Sequence, residues 1–320
     1  MTIQVLKTGL QTTVQDLGRL RSKHIGIPQS GSFDYLSAAK ANAILNRPIN
    51  SPVLECTMTG PSLKFLEDMD VCITGATVNQ ITVDDSSINQ NTLVHVKKGS
   101  ILSTDIAKDH LRFYIAFSKS IQATEFLNSV STYLPAKFGG LNGATIQKGQ
   151  MIDFKETQSE AYTGDPWIEN GERIETSKIR VTQGPEFNLL DASSVLFETD
   201  FIVSNDSNRM GVRTVDNRIP INDQGSMISK PIYPGIVQCP QDGLPIILGA
   251  DAQTLGGYPR ILQVIKADRH LIGQLRPNDH FRYELVSITE ALDGWENLKI
   301  NYPFVCELSL IHISEPTRPY

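Results

Sequence analysis

Short apolar runs, many alternating with polar residues, recur along the whole chain. Ile3–Leu6, Val71–Thr74, Leu93–Val96, Phe113–Phe117, Ile179–Val181 and Phe281–Leu285 are the clearest. Such runs, with a period of two, predict strands that lay one face on a core. Glycine (23) and proline (17) punctuate them at short intervals. This spacing predicts a mainly β protein built of barrels or sandwiches rather than strand–helix–strand units. Helices are few. Asp34 to Leu45 is the best, with Ser32 or Asp34 to cap it, apolar residues at Leu36, Ala39, Ala43 and Ile44, and Pro48 beyond its end. Phe187–Leu190 and Ser193–Glu198 have room for a turn or two each, and Thr289–Trp295 predicts a short helix.

The length, 320 residues, fits two domains. Polar, Glu-rich residues from Thr157 to Ser177 include Gly164-Asp165-Pro166 and predict a linker or long loop. The expected division is therefore 1–156, an N-terminal β subdomain; 157–177, the linker; and 178–307, a C-terminal β subdomain. Residues 308–320, which begin L-S-L-I-H-I-S-E-P-T-R, resemble a translated sequencing adapter and are set aside as a non-native tail.

Composition narrows the function. A 40% hydrophobic, 20% charged chain has the makeup of a soluble globular protein. Its net charge of -6 and its lack of Lys/Arg runs argue against nucleic acid. No apolar run is long enough to cross a bilayer, and the start carries no signal-peptide pattern, so a cytoplasmic location is expected. Cys56, Cys72, Cys239 and Cys306 form no C-x-x-C pair and predict buried thiols. The histidines lack ligand spacing, and no metal site is expected. No G-x-S-x-G elbow, phosphate loop or dinucleotide fingerprint is present.

Four polar-glycine segments remain. In the first, Gln15, Asp16 and Arg19 surround Gly18; this is either a turn with Asp16 and Arg19 paired, or a carboxylate and a guanidinium fixed at a barrel mouth. In the second, Ser30, Gly31, Ser32 and Asp34 lead into the predicted helix, as a capped helix start or an anion-attracting loop. Asn42 reads as a tether to a neighbouring loop, and Glu55 as a solvated residue on a strand. The third holds Asn205, Arg209 and Arg213 in a turn, a hairpin corner with Asp206 and Arg209 paired or a cradle for an anion. The fourth runs from Gly235 to Arg260 and carries Gln238, Gln241, Asp242, Asp251, Gln253, Thr254, Gly256, Gly257 and Tyr258. The Gly256-Gly257 pair permits positive φ and leaves no side chain in a ligand's way, or is a structural turn, and the neutral amides suit recognition better than proton transfer.

These segments also carry a resemblance. T-T-V-Q-D-L-G-R from Thr12, G-I-P-Q-S-G-S-F-D from Gly26, Ala41-Asn42, L-E-C-T-x-x-G-P-S-L from Leu54, S-N-D-S-N-R-M-G-V-R from Ser204 and Q-T-L-G-G-Y-P from Gln253 resemble the allophanate hydrolase subunit 2 family. That family includes the C subunit of 5-oxoprolinase and part of the carboxyltransferase domain of urea carboxylase. The resemblance implies a cyclophilin-like, all-β architecture in two barrel-like subdomains. It implies a partner of the subunit 1 type (the KipI-like B subunit of 5-oxoprolinase), together with the A subunit of that enzyme, and a small amide or lactam substrate. The implied reaction is ATP-dependent opening of 5-oxoproline to glutamate, with ATP in the complex and in contact with this chain or its partner. The alternatives are the carboxyltransferase half of a biotin-dependent urea or amide carboxylase, using carboxybiotin, or a regulator that binds its subunit 1 partner without turnover. The implied catalytic residues are Asp16, Arg19, Asp34 and Arg209. The implied substrate-binding residues are Gln15, Ser30, Asn205, Gln238, Gln253, Thr254, Gly257 and Tyr258. In one place the chain departs from the family: a usual Gly-Ser-Arg-Ser-Thr stretch reads Asn128-Ser-Val-Ser-Thr132, with Val130 at the Arg position.

Overall fold

The computed structural model describes residues 2–156, 162–164, 176–190, 193–222 and 227–306. Most of the predicted linker, and the adapter-like tail from 308 on, lie outside the described residues. The mainly β reading holds, and the chain forms two compact units. The first comprises the described residues of Met1–Leu20, Tyr35–Asn170 and Lys299–Tyr320; the second, those of Arg21–Asp34 and Gly171–Leu298. A single cut near the middle therefore misses two features: Arg21–Asp34 belongs with the second unit, and the described residues from Lys299 on belong with the first.

In the first unit, a seven-stranded sheet runs in the order Ser120–Ile121, Met151–Lys155, Thr2–Lys7, Ser62–Phe65, Ile101–Thr104, Ile81–Val83, Ser86–Ser87. A five-stranded sheet runs Gln11–Gln15, Val53–Thr57, Arg112–Phe117, Met69–Gly75, Val94–Val96. Alternation decides which side chains enter the core. Ile3, Val5, Leu63, Leu102 and Ile152 of the larger sheet meet Val14, Leu54, Ile73 and Ile115 of the smaller in one apolar cluster.

The helix, at Tyr35–Ile44, covers the other face of the five-stranded sheet. Ala38, Ala41 and Leu45 pack on Val53, Cys72, Tyr114 and Ala116. Its small residues let it lie close to the strands and favour the helical state. Arg112–Phe117 is consequently buried at every position, because both of its faces are covered.

The second unit is a closed barrel in the order Lys178–Gln183, Arg260–Val264, Ile236–Gln238, Ile246–Leu248, Gly211–Val215, Phe201–Val203, His280–Leu285. The last strand returns to pair in parallel with the first. Val181, Val203, Val212, Val237, Ile247 and Leu262 fill it, beside Phe201, Phe281 and Tyr283. Closure leaves no free sheet edge. The terminal helix, Ile288–Asn301, is longer than predicted. Ser287 and Glu290 form a reciprocal capping box at its start, at 2.7 and 3.2 Å.

No helix among the described residues is long and apolar enough to cross a membrane. Cys56, Cys72 and Cys239 are buried, and burial pushes the Cys72 thiol up to about 12. Cys306 departs from the expected buried thiol. It lies exposed beyond the Ile288–Asn301 helix, although Phe304 and Val305 just before it are buried.

Candidate functional site

In the first unit, Asp16 ends the Gln11–Gln15 strand and binds across to the 129–131 stretch. Its carboxylate accepts from Gly18 N (2.8 Å), Ser129 Oγ (2.7 Å), Val130 N (2.8 Å) and Ser131 Oγ (2.5 Å). Four donors on one carboxylate fix the geometry of both segments. Arg19 is fully buried, donates from Nη2 to Ser131 O, and lies 4.6 Å from the Phe138 ring centroid. Gln15 is buried too, and donates to Thr13 Oγ1 at 3.0 Å and Thr132 O at 3.1 Å. Asp16 thus meets the Ser129–Ser131 stretch rather than forming the turn-local pair with Arg19 that the sequence suggested. Val130 gives its N–H to Asp16 while its side chain packs, partly buried, against the first unit's core.

The same unit contains a row of buried polar residues, of which the sequence reading singled out Glu55 alone. Thr13, Glu55, Tyr114 and Thr74 stand opposite one another across four neighbouring strands. All are at most 2% exposed. Tyr114 OH donates to Glu55 Oε2 at 2.9 Å, and Arg112 Nε lies 3.6 Å from Glu55 Oε1. Thr74 Oγ1 closes the row by donating to Ser37 O of the covering helix at 2.6 Å. Glu55 is therefore not the solvated strand residue expected; the helix takes the solvent's place on that face. Asn42, on that helix, tethers the following loop through Ile49 O (3.2 Å) and Ser51 O (2.9 Å).

In the second unit, the Ser30–Asp34 strip meets Arg209 and the loop that starts at Gly249. The Arg209 guanidinium, 5% exposed, grips Asp251 through Nε at 2.8 Å and Nη2 at 3.0 Å, and Nη2 also donates to Gly31 O at 2.7 Å. Its partner is thus Asp251, not the nearby Asp206, whose side chain is exposed. Ser30 N donates to Ala250 O at 3.0 Å. Asp34 is fully buried and accepts from Gln274 Nε2 at 2.6 Å. Desolvation pushes the His270 imidazole below its ordinary value, against the pull of Asp34 and Asp268.

The loop from Asp251 runs on through Gln253 and Thr254 to Tyr258. Gln253 and Tyr258 are exposed, Thr254 and Gly257 are half-buried, and Thr254 O accepts from Ile232 N at 3.0 Å. Gln238 Nε2 donates to Tyr258 O at 3.2 Å. Gly256-Gly257 does not supply positive φ. Gly256 pairs in a two-stranded ribbon with Lys230, and a Cβ there would lie 2.8 Å from both Gln238 Nε2 and Ile232 Cδ1. Close packing, not a left-handed turn, accounts for that glycine. Asn205 is exposed in its turn and makes no hydrogen bond among the described residues.

Glu186 is a further anchor that sequence reasoning missed. It accepts from Arg260 Nε and Nη2, both at 2.9 Å, and from Lys230 Nζ at 2.8 Å. These cations hold its carboxyl down at about 2. Gly184-Pro185 ahead of it and Arg260 at the end of the fourth segment were the only local signals.

Two hydroxyls in the Ser30–Asp34 strip are left over. Ser30 Oγ and Ser32 Oγ are buried, with the residues 5% and 8% exposed, and neither has a hydrogen-bond partner among the described residues. A buried polar group without a partner costs about 1–3 kcal/mol, which a bound carbonyl or amide would offset. Ser30→Ala and Ser32→Ala are expected to leave thermal stability unchanged or slightly raised. They are expected to weaken binding of a ligand that engages them by about tenfold, the equivalent of one lost hydrogen bond of about 1.4 kcal/mol. Melting curves and calorimetric titration check both halves of that expectation.

Fold and site together define a two-unit, mainly β protein whose polar-glycine loops are pinned by buried carboxylates and guanidiniums. The chain belongs to the carboxyltransferase-domain family: residues 25–285 match its subdomains A and B. It is 31% identical to the 5-oxoprolinase C subunit of Haemophilus influenzae over 90% of this chain and 93% of that protein. Against the 5-oxoprolinase C subunit of Escherichia coli the identity is 29%, over 91% and 93%. Among solved structures, the urea carboxylase of Kluyveromyces lactis superposes with a TM-score of 0.84 at 28% identity, covering 93% of this chain and 28% of that one. The chain thus corresponds to a part of urea carboxylase but to nearly the whole of these 5-oxoprolinase subunits.

Proposed function

We propose that this chain is the C subunit of an ATP-dependent 5-oxoprolinase, which opens the lactam of 5-oxoproline to glutamate together with the A subunit and a B subunit of the subunit 1 type. The observation that carries this reading is the near end-to-end match with 5-oxoprolinase C subunits. The second unit supplies the recognition chemistry. Ser30 and Ser32 offer hydroxyls to the lactam carbonyl or N–H, and Gln238, Gln253, Thr254, Gly257 and Tyr258 line the adjoining loop. As the ring opens, its carbonyl oxygen gains charge, and donors already in place stabilise it without reorganising. Arg209 acts as a positioning residue, because its fork is engaged by Asp251 and Gly31. Asp16 and Arg19 play the equivalent part in the first unit.

One place where a triphosphate could seek this chain is disfavoured. Asp34, fully buried, directly precedes the helix that starts at Tyr35. It puts a carboxylate where a phosphate would seek a helix N-terminus. ATP is accordingly left to a partner protein, and no step on this chain runs through it.

The test is glutamate release from 5-oxoproline by the co-expressed subunits, with and without ATP, and with this chain omitted as the control. ATP-dependent release that needs the chain is the expected result. A stable complex that releases no glutamate sinks the reading. The likeness to urea carboxylase then favours a carboxyltransferase half, with carboxybiotin delivered by another protein.

A further inference from the structure

In the second unit, Lys230–Pro231 and Leu255–Gly256 form a two-stranded antiparallel ribbon, with Pro231 opposite Leu255. Ile232 N donates to Thr254 O at 3.0 Å and extends the pairing by one residue. Alternation gives the ribbon an outward face. Ser229, Pro231, Tyr233, Gln253 and Leu255 are exposed, whereas Lys230, Ile232, Thr254 and Gly256 are buried or half-buried. The solvent side of an antiparallel pair ordinarily carries polar side chains. Here Pro231, Tyr233 and Leu255 occupy it.

Apolar side chains at both ends enlarge that face. A Cβ on Gly257 would lie 3.2 Å from Met227 O, which places Ile228 beside the Gly257–Tyr258 end of the ribbon. At the Tyr233 end, Lys23 Nζ lies 5.5 Å from the centroid of the ring, which brings the Lys23–Ile25 turn alongside. Ile25, Ile228, Tyr233, Leu255 and Tyr258 are between 42% and 86% exposed. Contiguous exposed apolar surface marks an interaction site, and tyrosine is enriched at the centres of protein interfaces. The face is also held ready. Glu186 anchors Lys230 at 2.8 Å and Gln238 Nε2 holds Tyr258 O at 3.2 Å, so little ordering is left to be done on binding.

Charge selects the occupant. The whole chain is acidic, at -6, yet residues 21–30, 227–235 and 252–260, which build the face, contain no Asp or Glu. They do contain Arg21, Lys23, Lys230 and Arg260. Glu186 takes up part of that charge through Lys230 and Arg260. A second copy docked by the same face would set like charges against each other. Four cations, two of them committed to Glu186, fall short of the polybasic cluster that holds an anionic lipid surface. The likeness to urea carboxylase points to protein: this chain matches 28% of that polypeptide, which therefore carries further protein joined to the same fold.

We propose that the outward face of this ribbon docks a partner protein whose contact surface is apolar at its centre and acidic at its edge. Tyr233 and Leu255 lie in the middle of the contact, and the Lys23 turn meets the acidic edge. Naming the B subunit of the subunit 1 type as that partner rests on the function proposed above.

Hydrogen exchange read by mass spectrometry, on the full chain with and without the B subunit, tests the surface. Binding is expected to slow exchange in 228–233 and 254–258 by about tenfold, while the Ile288–Asn301 helix keeps its rate. Leu255→Glu, at an exposed position, is expected to melt like the parent and to weaken the complex by about thirtyfold in calorimetry, the loss of a central contact. Ile288→Glu, also apolar and exposed but on the terminal helix, is expected to leave the affinity unchanged. Lys23→Glu is expected to cost more affinity at low salt than at high, and a loss independent of salt overturns the acidic edge. Ribbon exchange slowed by concentrating the chain alone assigns the face to a second copy. Slowing by vesicles of phosphatidylserine and phosphatidylcholine assigns it to lipid. Either result overturns the proposal, and so does the absence of any complex. A complex that leaves ribbon exchange unchanged, with glutamate release intact, removes the docking surface and leaves the proposed function standing. Ribbon protection by the B subunit without glutamate release does the reverse.

Discussion

Replacing Asp251 with alanine is expected to lower folding stability by about 3–5 kcal/mol, the range for breaking a buried ion pair from one side. The Arg209 and Asp251 side chains are 5% and 3% exposed, so water cannot take the place of the lost carboxylate. The guanidinium cannot shed its charge instead, because arginine stays protonated in proteins. The damage should spread, since Arg209 also holds Gly31 O and Asp251 N donates to Arg209 O at 2.9 Å. Chemical denaturation of Asp251→Ala and of the double variant Arg209→Met/Asp251→Leu separates charge from packing. The double variant removes both charges and is expected to recover a large part of the loss. Glutamate release should stay low in both, because neither holds the Ser30–Asp34 strip as the intact Arg209–Asp251 pair does. A single variant within about 1 kcal/mol of the parent, a typical surface value, would show that the bridge does not carry the fold here.

The strands were readable because one-sided burial imprints a period of two. Thr2–Lys7 and Met151–Lys155 alternate cleanly between inside and outside. The helix was readable from its small apolar residues. The polar row of Thr13, Glu55, Tyr114 and Thr74 was not readable. Alternation assigns such residues to solvent, and only the tertiary position of the Tyr35–Ile44 helix reverses that. Pairing partners suffered in the same way. Asp206 lies three residues from Arg209 and looked like its partner, whereas the true one comes 42 residues later from a different loop. Glycine pairs mislead for a related reason: the letters report the missing side chain, and not whether the backbone needed freedom or a neighbour needed room. The site segments were thus legible as places, while the contacts that give each residue its role depend on chain closure.

Glu186 should make the protein sensitive to acid in a defined window. Arg260 and Lys230 hold its carboxyl at about 2, below the ordinary 4.5. A depressed carboxylate stabilises the fold above its unfolded pKa, and that stabilisation is lost as pH falls through the folded value. The gap, 4.5 to about 2, corresponds to about 3 kcal/mol at about 1.36 kcal/mol for each tenfold change in proton affinity. The side chain is 9% exposed, so solvent screening trims this figure only modestly. Glu186→Gln is therefore expected to be less stable than the parent by up to about 3 kcal/mol at pH 7. That difference should hold down to about pH 4.5 and shrink steadily toward pH 2, where the parent's carboxyl is itself protonating. Urea denaturation of both proteins from pH 7 to pH 3 reads this out. A difference independent of pH would mean that the Glu186 carboxylate is not the group the cations stabilise, and that the variant acts through packing alone. The ribbon gives a second handle: Lys230 and Gly256 pair within it, so a weakened Glu186 anchor should loosen the loop bearing Gln253 and Tyr258 as well as the barrel. Faster amide exchange in that loop, at a pH where the barrel is still folded, would tie the acid response to the site itself.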